Sequence, residues 1–98
     1  MSKGWVLALD ATDSKLEENL SSIGFRIDKK YSDDISNLDL NIARAHGIII
    51  RSRVTLDDEI LKKAVNLKWI GRLGSGLENI NIKYAKKQGI ACFSASQG

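Results

Sequence analysis

The chain has 98 residues, 43% of them hydrophobic and 28% charged, with 15 Lys and Arg against 12 Asp and Glu. That size and balance describe one small globular domain that buries roughly 60 to 70% of its unfolded surface, and they exclude a disordered, collagenous or disulfide-built chain. The single cysteine, Cys92, forms no internal disulfide and suits a reducing, cytoplasmic setting, while the N-terminus has too short an apolar run for a signal peptide or membrane span.

Charge is unevenly placed. Residues 1–60 carry 8 basic against 11 acidic side chains, and residues 61–98 carry 7 against 1. The basic half argues for solvated helix backs rather than a nucleic-acid face, because Lys62, Lys63, Lys83, Lys86 and Lys87 alternate with apolar positions at helical spacing and no aromatics are interleaved for base stacking.

In chain order, Trp5 to Leu9 (WVLAL) is an apolar run ending in Asp10 and reads as a buried strand. A helix follows, capped by Thr12 or Asp13, with Leu16, Leu20 and Ile23 on one stripe and Gly24 at its end. Phe25 to Asp28 alternates as an edge strand does, and residues 29–38 have no period and read as a loop. A short helix is expected from about Asp39 to Ala45, closed by His46-Gly47. Ile48 to Ile50 is the clearest strand, β-branched throughout, and it runs into Arg51-Ser52-Arg53.

Thr55 with Asp58 approximates a capping box for a helix carrying Ile60, Leu61, Ala64 and Val65. Lys68 to Arg72 is the next strand, Asn81 caps a helix through Gln88 that Gly89 ends, and Ile90 to Phe93 is the fifth strand. This alternation requires crossovers, so the expected class is α/β: a flavodoxin-like open parallel sheet of about five strands with helices on both faces. Ligands of such sheets bind outside the carboxyl ends of the strands. That points to the turn after Leu9, to Arg51-Ser52-Arg53, and to the segment from Leu73 to Asn79.

The last of these, Gly74-Ser75-Gly76-Leu77-Glu78-Asn79, begins like a dinucleotide loop. It departs from G-x-G-x-x-G because Asn79 stands in the third glycine position and no acidic residue follows Glu78 to hold a ribose. It is no P-loop either, lacking the downstream Gly-Lys-Ser/Thr. What remains is a turn whose amides at Ser75 and Gly76 are open to an anion, a carboxylate as well as a phosphate. A phospho-accepting receiver domain shares the sheet but is disfavoured, since Arg51 occupies the place of the acceptor aspartate and no lysine lies near Phe93.

The block IIIRSRVTLDDEILKKAVNLKWIGRLGSGLENINIKYAKKQGIACFSA resembles the N-terminal, substrate-binding part of the D-isomer-specific 2-hydroxyacid dehydrogenases. Arg51-Ser52-Arg53, Leu67-Lys68, Ile70-Gly71-Arg72, Gly74-x-Gly76-x-x-Asn79-Ile80 and Ala85 to Ala91 carry the likeness. It implies an oxidoreductase that passes hydride between NAD and a D-2-hydroxy or 2-oxo acid, in the branch whose substrate is of the 3-phosphoglycerate type. It also implies that Leu73, Gly74, Ser75 and Gly76 hold the substrate carboxylate, that Ser75 lies near the nicotinamide end, and that Arg51 and Ser52 face a substrate phosphate.

The family's Gly-rich NAD motif and its catalytic arginine, glutamate and histidine lie beyond the position matched by Gly98. The chain is therefore expected to be a single substrate-binding domain, residues 1–98, with no catalytic residue, no metal and no turnover of its own. NAD would be held mainly by an absent Rossmann domain. A full-length relative is expected to be a homodimer and this piece a monomer, with no membrane or nucleic-acid partner. A stand-alone flavodoxin-like module that binds small anions or another protein is the alternative.

From the residues alone, Arg51 is either a site residue or an ion-pair partner of Asp57 or Asp58. His46 reads as a capping or surface group, Cys92 as an inert core thiol, and Trp5 and Trp69 as core.

Overall fold

A computed structural model of the chain describes residues 4–10, 14–31, 34–51, 54–73, 77 and 79–95. The elements are β1 (Gly4–Ala8), α1 (Ser14–Ile23), β2 (Phe25–Lys29), a 3-10 turn (Ile35–Asn37), α2 (Asp39–Arg44), β3 (Ala45–Ile50), α3 (Asp58–Lys63), β4 (Trp69–Leu73), α4 (Ile82–Lys87) and β5 (Ala91–Ala95). All strand pairs are parallel, in the order β2-β1-β3-β4-β5. This is the flavodoxin-like order expected from the alternation of apolar runs and helices.

Right-handed crossovers in that order place α1 on one face and α2, α3 and α4 on the other, because the chain reverses direction across the sheet after β2. Burial agrees. Leu7, Leu9, Ile48, Ile50 and Ile70 alternate onto the three-helix face and form one core with Leu38, Ile42, Leu61 and Ala85. Val6, Ala8 and Ile49 are buried on the opposite face, where α1 packs on the edge strand β2 and Phe93 is left 55% exposed.

Several local expectations are corrected. His46 and Gly47 do not close α2; they lie in β3, which begins at Ala45. Gly47 sits there because the Trp69 indole from β4 lies over it, and a Cβ at that position would collide with the ring. The cap of α3 is Asp57, whose carboxylate accepts the Ile60 N–H at 3.1 Å, in place of Thr55. The segment 29–38 is not all loop: β2 extends to Lys29, and Asp34 caps the 3-10 turn by accepting Ser36 N–H. Asn81 does cap α4 through Tyr84 N–H, and Gly89 follows that helix with φ 77°, a left-handed conformation that suits glycine. The Thr12 or Asp13 cap lies outside the described residues.

Trp5 and Trp69 are half-buried, not deep core. Trp5 is stacked on by the Arg44 guanidinium, 3.9 Å from the ring centroid, and Trp69 meets Phe25 edge-on at 6.2 Å. Among the described residues no helix is long and apolar enough to cross a membrane, and no group of three His, Cys, Asp or Glu side chains is placed to hold a metal.

Candidate functional site

The carboxyl ends of β1, β3 and β4 converge at one edge of the sheet. β1 runs through Leu9, whose N–H donates to Ile49 O at 2.9 Å, and delivers Asp10 there, 7% exposed. β3 delivers Arg51, exposed to solvent, and β4 delivers Arg72 and Leu73. Of the residues singled out by sequence, Arg51 and Leu73 thus stand at the ends of adjacent strands paired through Ile50 and Arg72. Ser52, Gly74, Ser75 and Gly76 lie outside the described residues.

The main chain of Arg51 is gripped on both sides. Its N–H donates to Asp10 Oδ2 at 2.5 Å, and its carbonyl accepts from Asn79 Nδ2 at 2.7 Å. The second N–H of the same amide reaches Val54 O at 2.7 Å, and Asn79 Oδ1 accepts from Arg72 Nε at 2.6 Å. Both amide protons are occupied and the carbonyl oxygen faces a cation, so Asn79 can present only one orientation.

The backbone adds two more ties. Leu56 N–H donates to Asn79 O and Asn81 N–H donates to Leu56 O, both at 2.9 Å, which makes a parallel bridge between Leu56 and Ile80. Leu56 and Ile80 are buried in the core beneath. Arg51, Val54 and Leu56 after β3 are therefore fastened to Asn79, Ile80 and Asn81 after β4. Asp10, Arg72 and Asn79 were not anticipated as parts of this arrangement. Local spacing carried no signal for it, because the bonds join positions 41 and 28 residues apart.

His46 and Cys92 stay clear of this edge. The sole histidine, His46, lies at the amino ends of the strands, where its Nδ1 accepts Trp5 N–H at 3.2 Å. It neither caps a helix nor approaches the carboxyl-end edge of the sheet. Cys92 is half-buried in β5, and burial pushes its thiol up against the opposing charge of Lys86, which keeps it a poor nucleophile. A hollow of about 240 Å³ between α3 and α4 also opens at the amino ends. Its walls include Leu61, Ala64, Leu67 and Ile90 with Lys62 as the one charged group, so it lacks the paired cationic and amide donors of an anion site.

Residues 6–98 match the family model of the D-isomer specific 2-hydroxyacid dehydrogenase catalytic domain. The chain belongs to this family. It is 29% identical over 93 residues to D-3-phosphoglycerate dehydrogenase of Archaeoglobus fulgidus, covering 95% of this chain and 18% of that protein. It is 35% identical over 66 residues to (S)-sulfolactate dehydrogenase of Chromohalobacter salexigens, covering 67% of this chain and 21% of that one. A Pyrococcus horikoshii crystal structure superimposes with a TM-score of 0.87 at 25% identity, over 97% of this chain and 28% of the other. The fold of NAD+-bound 3-phosphoglycerate dehydrogenase from Entamoeba histolytica also matches, with a TM-score of 0.79 at 24% identity over 96% of this chain and 33% of that one. The chain thus spans about a fifth of the length of these curated relatives.

The residues present do not fit the pyrophosphate of a dinucleotide. The place of the third glycine is filled by the Asn79 side chain, which is fully engaged with Arg51, Val54 and Arg72. In a dinucleotide-binding turn the third glycine lets the helix pack closely against the strand, a place that a side chain with three polar partners takes here.

Proposed function

We propose that the crevice outside the carboxyl ends of β3 and β4 is one wall of the substrate site of a D-2-hydroxyacid dehydrogenase. In this reading Leu73, Gly74, Ser75 and Gly76 hold the substrate carboxylate, and Arg51 and Ser52 hold a second anionic group. The observation that carries it is the placement of Arg51 and Leu73 at the ends of neighbouring central strands, with the Arg51 main chain fixed and its side chain exposed. An open α/β sheet binds ligands at that edge, and a guanidinium with main-chain amides opposite suits a dianionic acid.

The named relatives support the substrate class. 3-Phosphoglycerate and sulfolactate are both 2-hydroxy acids with a phosphate or sulfonate group attached at C3. A cationic side chain opposite a carboxylate-binding turn fits both. The whole enzyme would transfer hydride between C2 of such an acid and NAD. This chain orients the acid, and Ser75 is its one assigned contact near the cofactor; the rest of the NAD site lies outside it. No histidine of this chain reaches the crevice, so proton transfer at the C2 oxygen is assigned to another part of the enzyme.

Titration calorimetry with 3-phosphoglycerate tests the reading. The chain should bind it, and Arg51→Ala should weaken binding about tenfold, the loss typical of one charge-assisted contact. Incubation with NADH and hydroxypyruvate, glyoxylate or phosphohydroxypyruvate should give no turnover. Turnover by the chain alone, or unchanged affinity in Arg51→Ala, would overturn the assignment.

A further inference from the structure

We infer that His46 is a pH-sensitive latch between β1 and β3, whose neutral imidazole holds the Trp5 amide and whose second proton releases it. The ladder between these two strands is irregular at one point. Trp5 pairs with Ala45 and Val6 with Gly47, so His46 is an extra residue in β3, a bulge in a parallel pair. There the Trp5 N–H donates to His46 Nδ1 at 3.2 Å, a side chain serving where a regular ladder uses a main-chain carbonyl. The neighbours seat the ring. A Cβ on Gly4 would collide with the imidazole, and Gly4 has φ 133°, so glycine suits that position on both counts. On the other side the His46 carbonyl accepts the Lys68 N–H at 2.8 Å.

The bond fixes the tautomer. A main-chain N–H can only donate, so the Nδ1 that receives it is bare and the ring's own proton sits on Nε2. A second proton can land only on Nδ1, where it takes the lone pair that Trp5 uses and leaves two donors facing each other. Histidine is the side chain that takes this proton between about pH 5 and 8. The charged groups on the elements around this end of the sheet are Arg26 and Asp28 of β2, Arg44 at the end of α2 and Lys68 before β4. Arg26 and Arg44 lie on the Trp5 ring, 5.6 and 3.9 Å from its centroid, and Asp28 is taken up by Arg44. Among the described residues no carboxylate comes within ion-pair distance of the imidazole, so no ion pair replaces the lost bond.

The latch therefore contributes stability where the imidazole is neutral and loses it as pH falls through the histidine range, because the unfolded chain takes the proton without giving up a bond. Its effect is local. The amino end of β1 loosens in acid, while the far end of the same strand pair stays tied by Leu9 N–H to Ile49 O.

The test is an NMR titration of the 15N-labelled chain from about pH 8 to about pH 5. At the alkaline end the His46 ring nitrogens should read as the Nε2–H tautomer. Protection of the Trp5 amide, corrected for intrinsic exchange, should fall about tenfold in step with the second proton, the factor that one net hydrogen bond carries. The Leu9 amide should keep its protection over the same range. His46→Asn offers a side-chain oxygen near the Nδ1 position that does not titrate, so it should keep Trp5 protected throughout, and His46→Ala should leave Trp5 unprotected throughout. If acid unfolds the chain first, the unfolding midpoint should lie at lower pH in His46→Asn than in the wild type. An Nδ1–H tautomer at the alkaline end, Trp5 protection that ignores the His46 titration, or the same acid loss or acid midpoint in His46→Asn would overturn the inference.

Discussion

The two ends of the sheet are held by different physics. At the carboxyl ends, polar side chains hold main-chain groups: Asp10 takes Arg51 N–H, and Asn79 takes Arg51 O and Val54 O. At the amino ends, ring packing adds to such bonds: Trp69 lies over Gly47 and against Phe25 and Arg44 lies on Trp5, beside the bonds from Trp5 N–H to His46 Nδ1 and from Asn66 Nδ2 to Ala43 O. Ring burial contributes stability through area and tolerates small shifts, whereas hydrogen bonds to fixed carbonyls define position to a few tenths of an ångström. A domain that must present a ligand-binding edge can concentrate ring packing at the opposite end.

That division can be broken experimentally. The largest stability effect should come from Gly47→Ala, which forces the Trp69 indole out of its seat and should cost about 3 kcal/mol in urea unfolding. Because the change is at the amino end, 3-phosphoglycerate affinity per folded molecule should be kept; a tenfold loss would show that the ends are not separable. Asp10→Ala should cost about 2 kcal/mol, the expected loss for a hydrogen bond to a charged, buried acceptor. Unlike the first variant it should also weaken the ligand, since it releases the Arg51 main chain.

Arg44→Ala removes the cation stacked on Trp5 and the 2.8 Å contact with Asp28. With Arg44 47% exposed, solvent screening limits the loss to about 1 kcal/mol, measured as a small fall in unfolding midpoint. The smallest effect concerns pH. Burial raises the Asp28 carboxyl, but hydrogen bonds from Asn41 and Arg44 and the charges of Arg44 and Lys30 outweigh it and hold the pKa below 3.8. A depressed carboxylate contributes stability that is present above its unfolded pKa and lost as pH falls through the folded value. Relative to wild type, Asp28→Asn should therefore be less stable by about 0.5 kcal/mol near neutrality, with the gap closing as pH drops below about 4 in acid titration followed by circular dichroism.

Much of the sheet was legible because its strands are self-declaring. The Ile48 to Ile50 run, the Trp5 to Leu9 run and the Asn81 and Gly89 punctuation of α4 each follow from local side-chain chemistry. The first half of β3 was hidden, since His46-Gly47 after a short helix has the composition of a turn. Only the Trp69 ring, 22 positions away, makes glycine the residue that fits. The α3 cap was placed at Thr55, two positions early, because Thr55 with Asp58 has the capping-box spacing and Asp57 is distinguished only by accepting Ile60 N–H.

Arg51 and Leu73, at the ends of neighbouring strands, were singled out by the strand-end rule and the family likeness. Asp10, Arg72 and the full role of Asn79 were not, because what joins them is the adjacency of β1, β3 and β4 in the sheet, and that order is a tertiary fact.

The most direct test of the central claim is an amide chemical-shift map of the 15N-labelled chain titrated with 3-phosphoglycerate. The account predicts saturable shifts at Arg51, Leu73 and the Asn79 side-chain amide at the carboxyl ends, with Trp5, His46 and Lys68 at the amino ends unmoved. Shifts confined to the amino ends, or no saturable shift at Arg51 and Leu73, would contradict it.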